Sequence, residues 1–338
     1  MKKILIVNTD LDIGGGENSL VSFINNIDPE RFDVTLGLLQ PKLGMADRLD
    51  SRIKILKLWE KPKLGEYDTA IGYKQGKSAN FVVSKVKAKK KISFFRHGSI
   101  KYTGIRRLIY AYYYRKTDCV ITLTENLKNA LSRHFFIPKE KIYVIEDIFD
   151  KNETVKKADE YKIERDTDYV FSTVARVVPV KNIGIIPVIA AHLINNGIDD
   201  FRWYIVGEWK DQKYYKAIKG MTDLLQLGRK IIFTGNKENP LPYIKASDLY
   251  IHLSLTESWC RSITDALMLK VPVLTTDTIG GTAQIKPGVN GEICDKEDLD
   301  DINGKLLSMI KNIDFIKKTQ PDYSQDTKAI MEKYYSLF

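Results

Sequence analysis

The sequence predicts an α/β protein made of two doubly wound parallel sheets in series. Three observations carry this. Short apolar runs recur along the chain, and they alternate with segments whose apolar residues fall at helical spacing. The alternation breaks off near residue 150 and restarts near residue 169. The length, 338 residues, fits about two domains.

Residues 4–7 form the first run, apolar throughout, as suits a strand covered on both faces of a parallel sheet. A glycine loop follows, then Leu20, Val21, Ile24 and Ile27 at helical spacing. Further strands are expected at 32–38, 53–58, 68–72, 91–95, 119–123 and 141–145. Between 147 and 166 apolar periodicity is weak, and Asp150, Glu153, Asp159, Glu160, Glu164 and Asp166 mix with lysines. This is read as the interdomain connection, with domains at 1–160 and 161–320. Strands then resume at 169–174, 203–206, 230–233, 249–253 and 271–275, and 322–338 reads as a terminal helix. Ligands of such sheets bind beyond the carboxyl ends of the strands, so a cleft facing both halves is the expected site.

Composition excludes several classes. With 43% hydrophobic and 28% charged residues, the chain is neither disordered nor collagen-like. Its apolar runs fall short of the ~18 residues of a spanning helix. Cys119, Cys260 and Cys294 contain no CxxC pair and are too scattered for a zinc site or a disulfide framework. After Lys2 and Lys3 only four apolar residues, 4–7, precede Asn8, too few for the core of a signal peptide, so a cytoplasmic location is expected. The net charge of +10 points to anionic partners: nucleotide phosphates, nucleic acid or an acidic lipid surface.

Five stretches and one histidine carry candidate chemistry. Gly14-Gly15-Gly16 lets a backbone approach a ligand, and the helix start behind it favours an anion. It matches neither GxGxxG nor a P-loop. Arg176 and Lys181 follow the 169–174 strand, where a planar fork and a point charge can clamp a diphosphate. Glu257 and Asp265 stand eight positions apart, just over two helical turns, which puts both acids roughly on one helix face. A helix starting near Trp259 would offer amides of Trp259, Cys260 and Arg261 to phosphate oxygens. Gly280-Gly281 reads as a turn at another strand end. Residues 85–116 hold eleven basic residues and no acid, interleaved with Phe94, Phe95, Tyr102, Tyr110, Tyr112, Tyr113 and Tyr114. That run fits an anionic membrane, with Arg96, His97, Arg106 and Arg107 as contacts. His97 ends the 92–95 segment and faces the expected cleft. His252 alternates within a strand and is read as core packing.

In this order the motifs resemble GT-B glycosyltransferases, in particular the large retaining family called glycosyltransferase family 4. Arg176 and Lys181 match its Arg-x4-Lys pair. Residues 203–207 resemble its strand ending in glycine, and Phe233-Thr234-Gly235 its Phe-x-Gly turn. Glu257 to Asp265 resembles Glu-x7-Glu, while Gly280-Gly281 and Asn290-Gly291 match the loops beyond. Departures are Asp265 for Glu, Ser258 and Cys260 for glycines, Gln284 for Glu, and Leu253 for Pro before Ser254.

The resemblance implies two Rossmann-like domains facing a central cleft. It implies sugar transfer, with anomeric configuration retained, from a nucleotide diphosphate sugar, UDP by preference, to an acceptor hydroxyl. The first half would bind the acceptor, and residues 321–338 would cross back onto it. Arg176 and Lys181, with amides at Gly15, Gly16, Trp259, Cys260 and Arg261, would hold the diphosphate without a metal. Glu257 would hold the sugar, Asp265 the ribose, and Gly235 and Asn236 the base. His97 would lie beside the reacting centre. With the basic run, a lipid-linked glycan at the inner face of the cell membrane is the expected acceptor, in surface polysaccharide assembly. Two alternatives stand beside this reading: a non-catalytic scaffold of the same fold, and a basic nucleic-acid-binding protein, for which no known motif is present.

Overall fold

The structure, a computed structural model, describes residues 1–12, 14–96, 100 and 102–338. The chain divides into two compact units, residues 1–149 with 325–338, and residues 150–324.

The first unit is built on a seven-stranded sheet of β1 (Lys2–Asn8), β2 (Phe32–Leu38), β3 (Lys54–Lys57), β4 (Glu66–Gly72), β5 (Lys87–Phe94), β6 (Cys119–Thr122) and β7 (Ile142–Val144). The strand order is β3-β2-β1-β4-β5-β6-β7, and every pairing is parallel. Its helices are α1 (Gly15–Asn25), α2 (Lys77–Lys85), α3 (Gly104–Lys116) and α4 (Glu125–Phe135). β1 is buried from Ile4 to Asn8, which explains its unbroken apolar run. Thr124 starts α4 by accepting a hydrogen bond from the Leu127 amide at 3.2 Å.

The second unit opens with α5 (Lys151–Ala158) and has a six-stranded sheet. Its strands are β8 (Tyr169–Val174), β9 (Phe201–Val206), β10 (Ile231–Gly235), β11 (Leu249–His252), β12 (Val273–Thr276) and β13 (Gly291–Cys294). They lie in the order β10-β9-β8-β11-β12-β13, again all parallel. Helices α6 (Ile186–Asn195), α7 (Gln212–Leu224), α8 (Leu241–Lys245), α9 (Arg261–Met268), α10 (Ile279–Gln284), α11 (Leu299–Lys311) and α12 (Ile313–Thr319) complete it. Two glycines are obligatory. Gly207 and Gly291 have φ of 156° and 159°, and a Cβ on either would lie 2.0 Å from a neighbouring strand's carbonyl oxygen, that of Ala175 or Val273.

The unit boundary differs from the expected one. The second unit starts at Asp150 rather than 161, because α5 packs on α8 and α9. Only Thr154 and Ala158 of α5 are buried, so its sequence shows little apolar periodicity. At the other end, residues 325–338 group with the first unit, while 321–324 stay with the second. Within the first unit, α13 (Thr327–Tyr335) stacks Tyr334 on Phe94 at 5.9 Å. The Tyr334 hydroxyl donates to the Glu146 carbonyl at 3.0 Å. Each such buried aromatic contributes roughly 1.5–3 kcal/mol.

Both sheets reverse direction once, β1–β4 in the first and β8–β11 in the second. Chains leaving adjacent strands at such a point diverge and open a crevice at their carboxyl ends.

Candidate active site

At the β8–β11 switch point the chain leaving β8 carries Arg176 and Lys181, and the chain leaving β11 carries Glu257. Lys181 Nζ is ion-paired with Glu257 Oε1. His252, the last residue of β11, donates from Nε2 to the same oxygen at 3.2 Å. Oε2 of Glu257 has no hydrogen bond among the described residues. Burial would raise the Glu257 carboxyl, but the His252 hydrogen bond and the Lys181 charge overcome it and hold it at about 2.

His252 is buried and is the centre of the cluster. Burial disfavours its cation, yet the Cys260 sulfur and the Glu257 carboxylate push its pKa up to about 9. Cys260 Sγ lies 3.6 Å from Nδ1, and Ser254 Oγ lies 2.9 Å from Nε2. The imidazolium in turn lowers the Cys260 thiol against the opposing effect of burial. The Tyr250 hydroxyl donates to Ser262 Oγ at 2.6 Å, and that oxygen is 3.2 Å from Cys260 Sγ. A cation therefore stands on either side of Glu257, at Lys181 and His252, and a carboxylate stays ionised and oriented at neutral pH. His252, expected only to pack, does this; the legible signal was its place at a strand's carboxyl end, five residues before Glu257.

His252, Glu257 and Cys260 bring ligand-type atoms within 4.8 Å of one another. The sulfur sits nearest one ring nitrogen and the carboxylate nearest the other. A metal ion bound by His252 takes one ring nitrogen, and Lys181 already neutralises the carboxylate. The three side chains are thus joined as a hydrogen-bonded chain through the two ring nitrogens.

The helix behind this cluster starts later than expected. α9 begins at Arg261, with Cys260 as N-cap and no side-chain cap. The Cys260 side chain does not cap the helix, and the positive end of the helix dipole lies here. Trp259 belongs to the preceding loop. That loop is held by close backbone approach: a Cβ on Gly280 would lie 2.7 Å from the Trp259 nitrogen, and the Gly280 amide donates to the Glu257 carbonyl at 3.0 Å. Trp259 Nε1 donates to Thr264 Oγ1 at 3.0 Å, and Thr264 to Gln284 Oε1 at 2.7 Å. Gln284 is thus a buried brace between α9 and α10.

Glu257 precedes α9, so it and Asp265 do not share a helix face. Asp265 is buried within α9, where desolvation raises its pKa and Arg261 Nε donates to it at 3.0 Å. Arg176 is exposed, and its side chain makes no ion pair or hydrogen bond among the described residues. Gly235 ends β10 with φ 75°, its carbonyl accepting from the Gly207 amide at 2.9 Å. Asn236 beyond it is exposed.

In the first unit, Gly15 and Gly16 open α1 at the β1–β4 switch point, after an extended Gly14 with no side-chain cap. A Cβ on Gly14 would meet Glu17 Oε2 at 2.7 Å, and Glu17 is ion-paired with Lys74 beyond β4. The first turn of α1 therefore already holds a carboxylate. Arg96 is not a membrane contact. Its side chain is only 9% exposed, ion-paired with buried Asp147, and lies 4.7 Å from the Tyr73 ring centre. A charged residue at a strand end inside the unit requires such a partner. Arg106 is exposed on α3. Arg107 donates to the His134 carbonyl at 2.7 Å and stacks over Phe136 at 4.8 Å. His97 lies outside the described residues.

Comparison with known proteins bears on both units. Residues 155–327 match the family "Glycosyl transferases group 1". An uncharacterized glycosyltransferase of Methanocaldococcus jannaschii is 24% identical over 206 residues, 54% of this chain. The match spans 46% of that relative's length, about half. Among solved structures, Anabaena HepE in complex with UDP aligns with a TM-score of 0.78 at 15% identity, covering 99% of each chain. S. aureus TarM, in a complex that includes UDP, aligns at 0.78 and 13% identity, covering 100% of this chain and 99% of that one. The two Rossmann-like sheets are those of the GT-B fold.

Proposed function

The chain belongs to the glycosyl transferases group 1 family, and on that premise we propose that it moves a hexose or N-acetylhexosamine from a UDP-sugar to a hydroxyl of a lipid-linked glycan, with retention of anomeric configuration. The observation that carries this is the Lys181–Glu257–His252 cluster at the β8–β11 switch point, beside the uncapped start of α9. Arg176 and Lys181 neutralise the departing diphosphate, and the first amides of α9 accept its oxygens. This requires no proton transfer to the leaving group and no divalent ion. Glu257, fixed by His252, accepts hydrogen bonds from sugar hydroxyls through Oε2. Asp265 receives the ribose after yielding Arg261, and the Gly235–Asn236 turn meets the base.

The first unit takes the acceptor. Support comes from its basic run and from a second switch-point crevice of its own. A lipid-linked acceptor places the enzyme at the inner face of a cell membrane, in assembly of a surface polysaccharide. The HepE and TarM complexes with UDP support the choice of nucleotide.

The test is transfer from radiolabelled UDP-hexoses to a membrane glycolipid extract, with the product linkage read by NMR. The proposal expects an α-linked product from an α-linked donor, undiminished by EDTA. A β-linked product overturns retention. Absence of transfer from every donor favours the scaffold alternative.

A further inference from the structure

The charge run of the first unit hides a second pattern. On α3, Ile105, Leu108, Ile109 and Tyr112 are 70%, 60%, 44% and 56% exposed. At about 100° per residue these four positions fall within an arc of about 100° on one side of the helix. Ala111 and Tyr114, buried among Phe95 and Phe135, hold the opposite side against the unit. The stripe therefore points outward by construction of the fold. Phe136, 61% exposed, adds to it and is tied to α3 through the Arg107 guanidinium.

Charge brackets the stripe. Arg106 and Arg115 flank it on either side, and Lys116 lies along it with its ammonium 5.7 Å from the Tyr112 ring centre. No acidic residue occurs in α3. Tyr112 carries an apolar ring with a polar tip, the kind of side chain that settles at a lipid–water boundary. α3 has 13 residues, about 20 Å, and among the described residues no helix is long and apolar enough to cross a membrane. An exposed apolar stripe rimmed by cations on a short helix has the form of an interfacial helix lying in the plane of a bilayer.

We infer that α3 docks the enzyme on anionic membranes, with Ile105, Leu108, Ile109 and Tyr112 inserted among the acyl chains and Arg106, Arg115 and Lys116 on the headgroups. A patch of this kind on a soluble chain otherwise favours aggregation, and bilayer burial covers it. The inference deepens the lipid-linked acceptor reading, but its test needs neither nucleotide nor acceptor. Failure here leaves sugar transfer standing, and failure of transfer leaves docking standing.

The full chain is sedimented with vesicles of phosphatidylcholine alone and of equal parts phosphatidylcholine and phosphatidylglycerol. The wild type is expected to pellet with the anionic vesicles only. The triple variant Ile105→Ser, Leu108→Ser, Ile109→Ser should lose apparent affinity by at least roughly tenfold. Leu224→Ser, at a position 79% exposed on α7, should bind as wild type. All the replaced side chains are exposed, so unchanged thermal unfolding is expected throughout. Leu108→Trp should shift its fluorescence to the blue on adding anionic vesicles. Wild type that pellets with neither vesicle overturns the inference, as does a triple variant that binds undiminished. A wild-type dimer that the triple variant dissolves, without vesicle binding, assigns the stripe to a protein interface instead.

Discussion

Replacing Glu257 with Gln removes the carboxylate that Lys181 and buried His252 share and leaves the shape nearly intact. The carboxyl is drawn from 4.5 to about 2 against burial. At ~1.4 kcal/mol per tenfold change, that is about 3 kcal/mol in favour of the ionised native state. His252 moves from 6.5 to about 9, which gives about the same figure. The two overlap in the His252–Glu257 contact and are not summed; Cys260 also raises His252, and Lys181 also lowers Glu257. A carboxyl held low contributes fully above pH 4.5 and loses its contribution as pH falls through about 2. A histidine held high contributes fully below pH 6.5 and loses it as pH rises through about 9. At pH 7 Glu257→Gln should therefore cost up to about 3 kcal/mol, with the His252 pKa lowered but still raised by Cys260. For a unit the size of 150–324 this lowers Tm by roughly 6–12 °C. Calorimetric unfolding between pH 6 and 10 is the assay. The wild type should lose stability across that range, and Glu257→Gln should be flatter. A variant within about 1 °C of wild type at pH 7, or one with the same alkaline loss, would refute the reasoning.

Other perturbations separate structural from binding roles. Arg96→Ala leaves Asp147 buried without its cation and should cost roughly 3–5 kcal/mol in chemical denaturation, whereas Arg106→Ala should change stability by less than about 0.5 kcal/mol. Gly291→Ala forces a methyl onto the Val273 carbonyl and should lower soluble yield or cost roughly 3 kcal/mol or more. Gly15→Ala meets nothing within 4 Å and should leave Tm unchanged or raised, so any effect on turnover isolates the glycine loop's role in binding.

Much of the fold was legible because the sheet is parallel. Runs such as 4–7 and 249–251 must be apolar on both faces, and ligands of such sheets bind beyond their carboxyl ends. The order of Arg176, Lys181, Glu257 and Gly280-Gly281 pointed to the ends of β8, β11 and β12, and the structure brings Lys181 and Glu257 together there. What stayed hidden depended on partners distant in sequence. The charged face of α5 concealed a helix that only α8 and α9 reveal. Arg96 read as surface charge because its partner, Asp147, lies fifty-one residues away. His252 alternates like any inward strand residue; its place just before Glu257 was legible, but that its two nitrogens meet Cys260 and Glu257 follows only from the path of the loop. Aromatic and basic residues of α3 were visible as composition, but which side faces outward follows only from where Ala111 and Tyr114 pack.

The central claim is that the β8–β11 switch point binds a nucleoside diphosphate through Arg176. Calorimetric titration of the full chain with UDP, GDP, ADP and NAD tests it most directly, repeated on Arg176→Ala. Because Arg176 is exposed and makes no ion pair or hydrogen bond among the described residues, its loss should leave Tm within about 1 °C. A charge-assisted hydrogen bond to phosphate is worth roughly 1.5–3 kcal/mol, so affinity for UDP should fall by roughly ten- to a hundredfold. Binding of UDP that is weakened in this way, with NAD silent, is the predicted result. UDP binding that is undiminished in Arg176→Ala, or no binding by any of the four, would contradict the account.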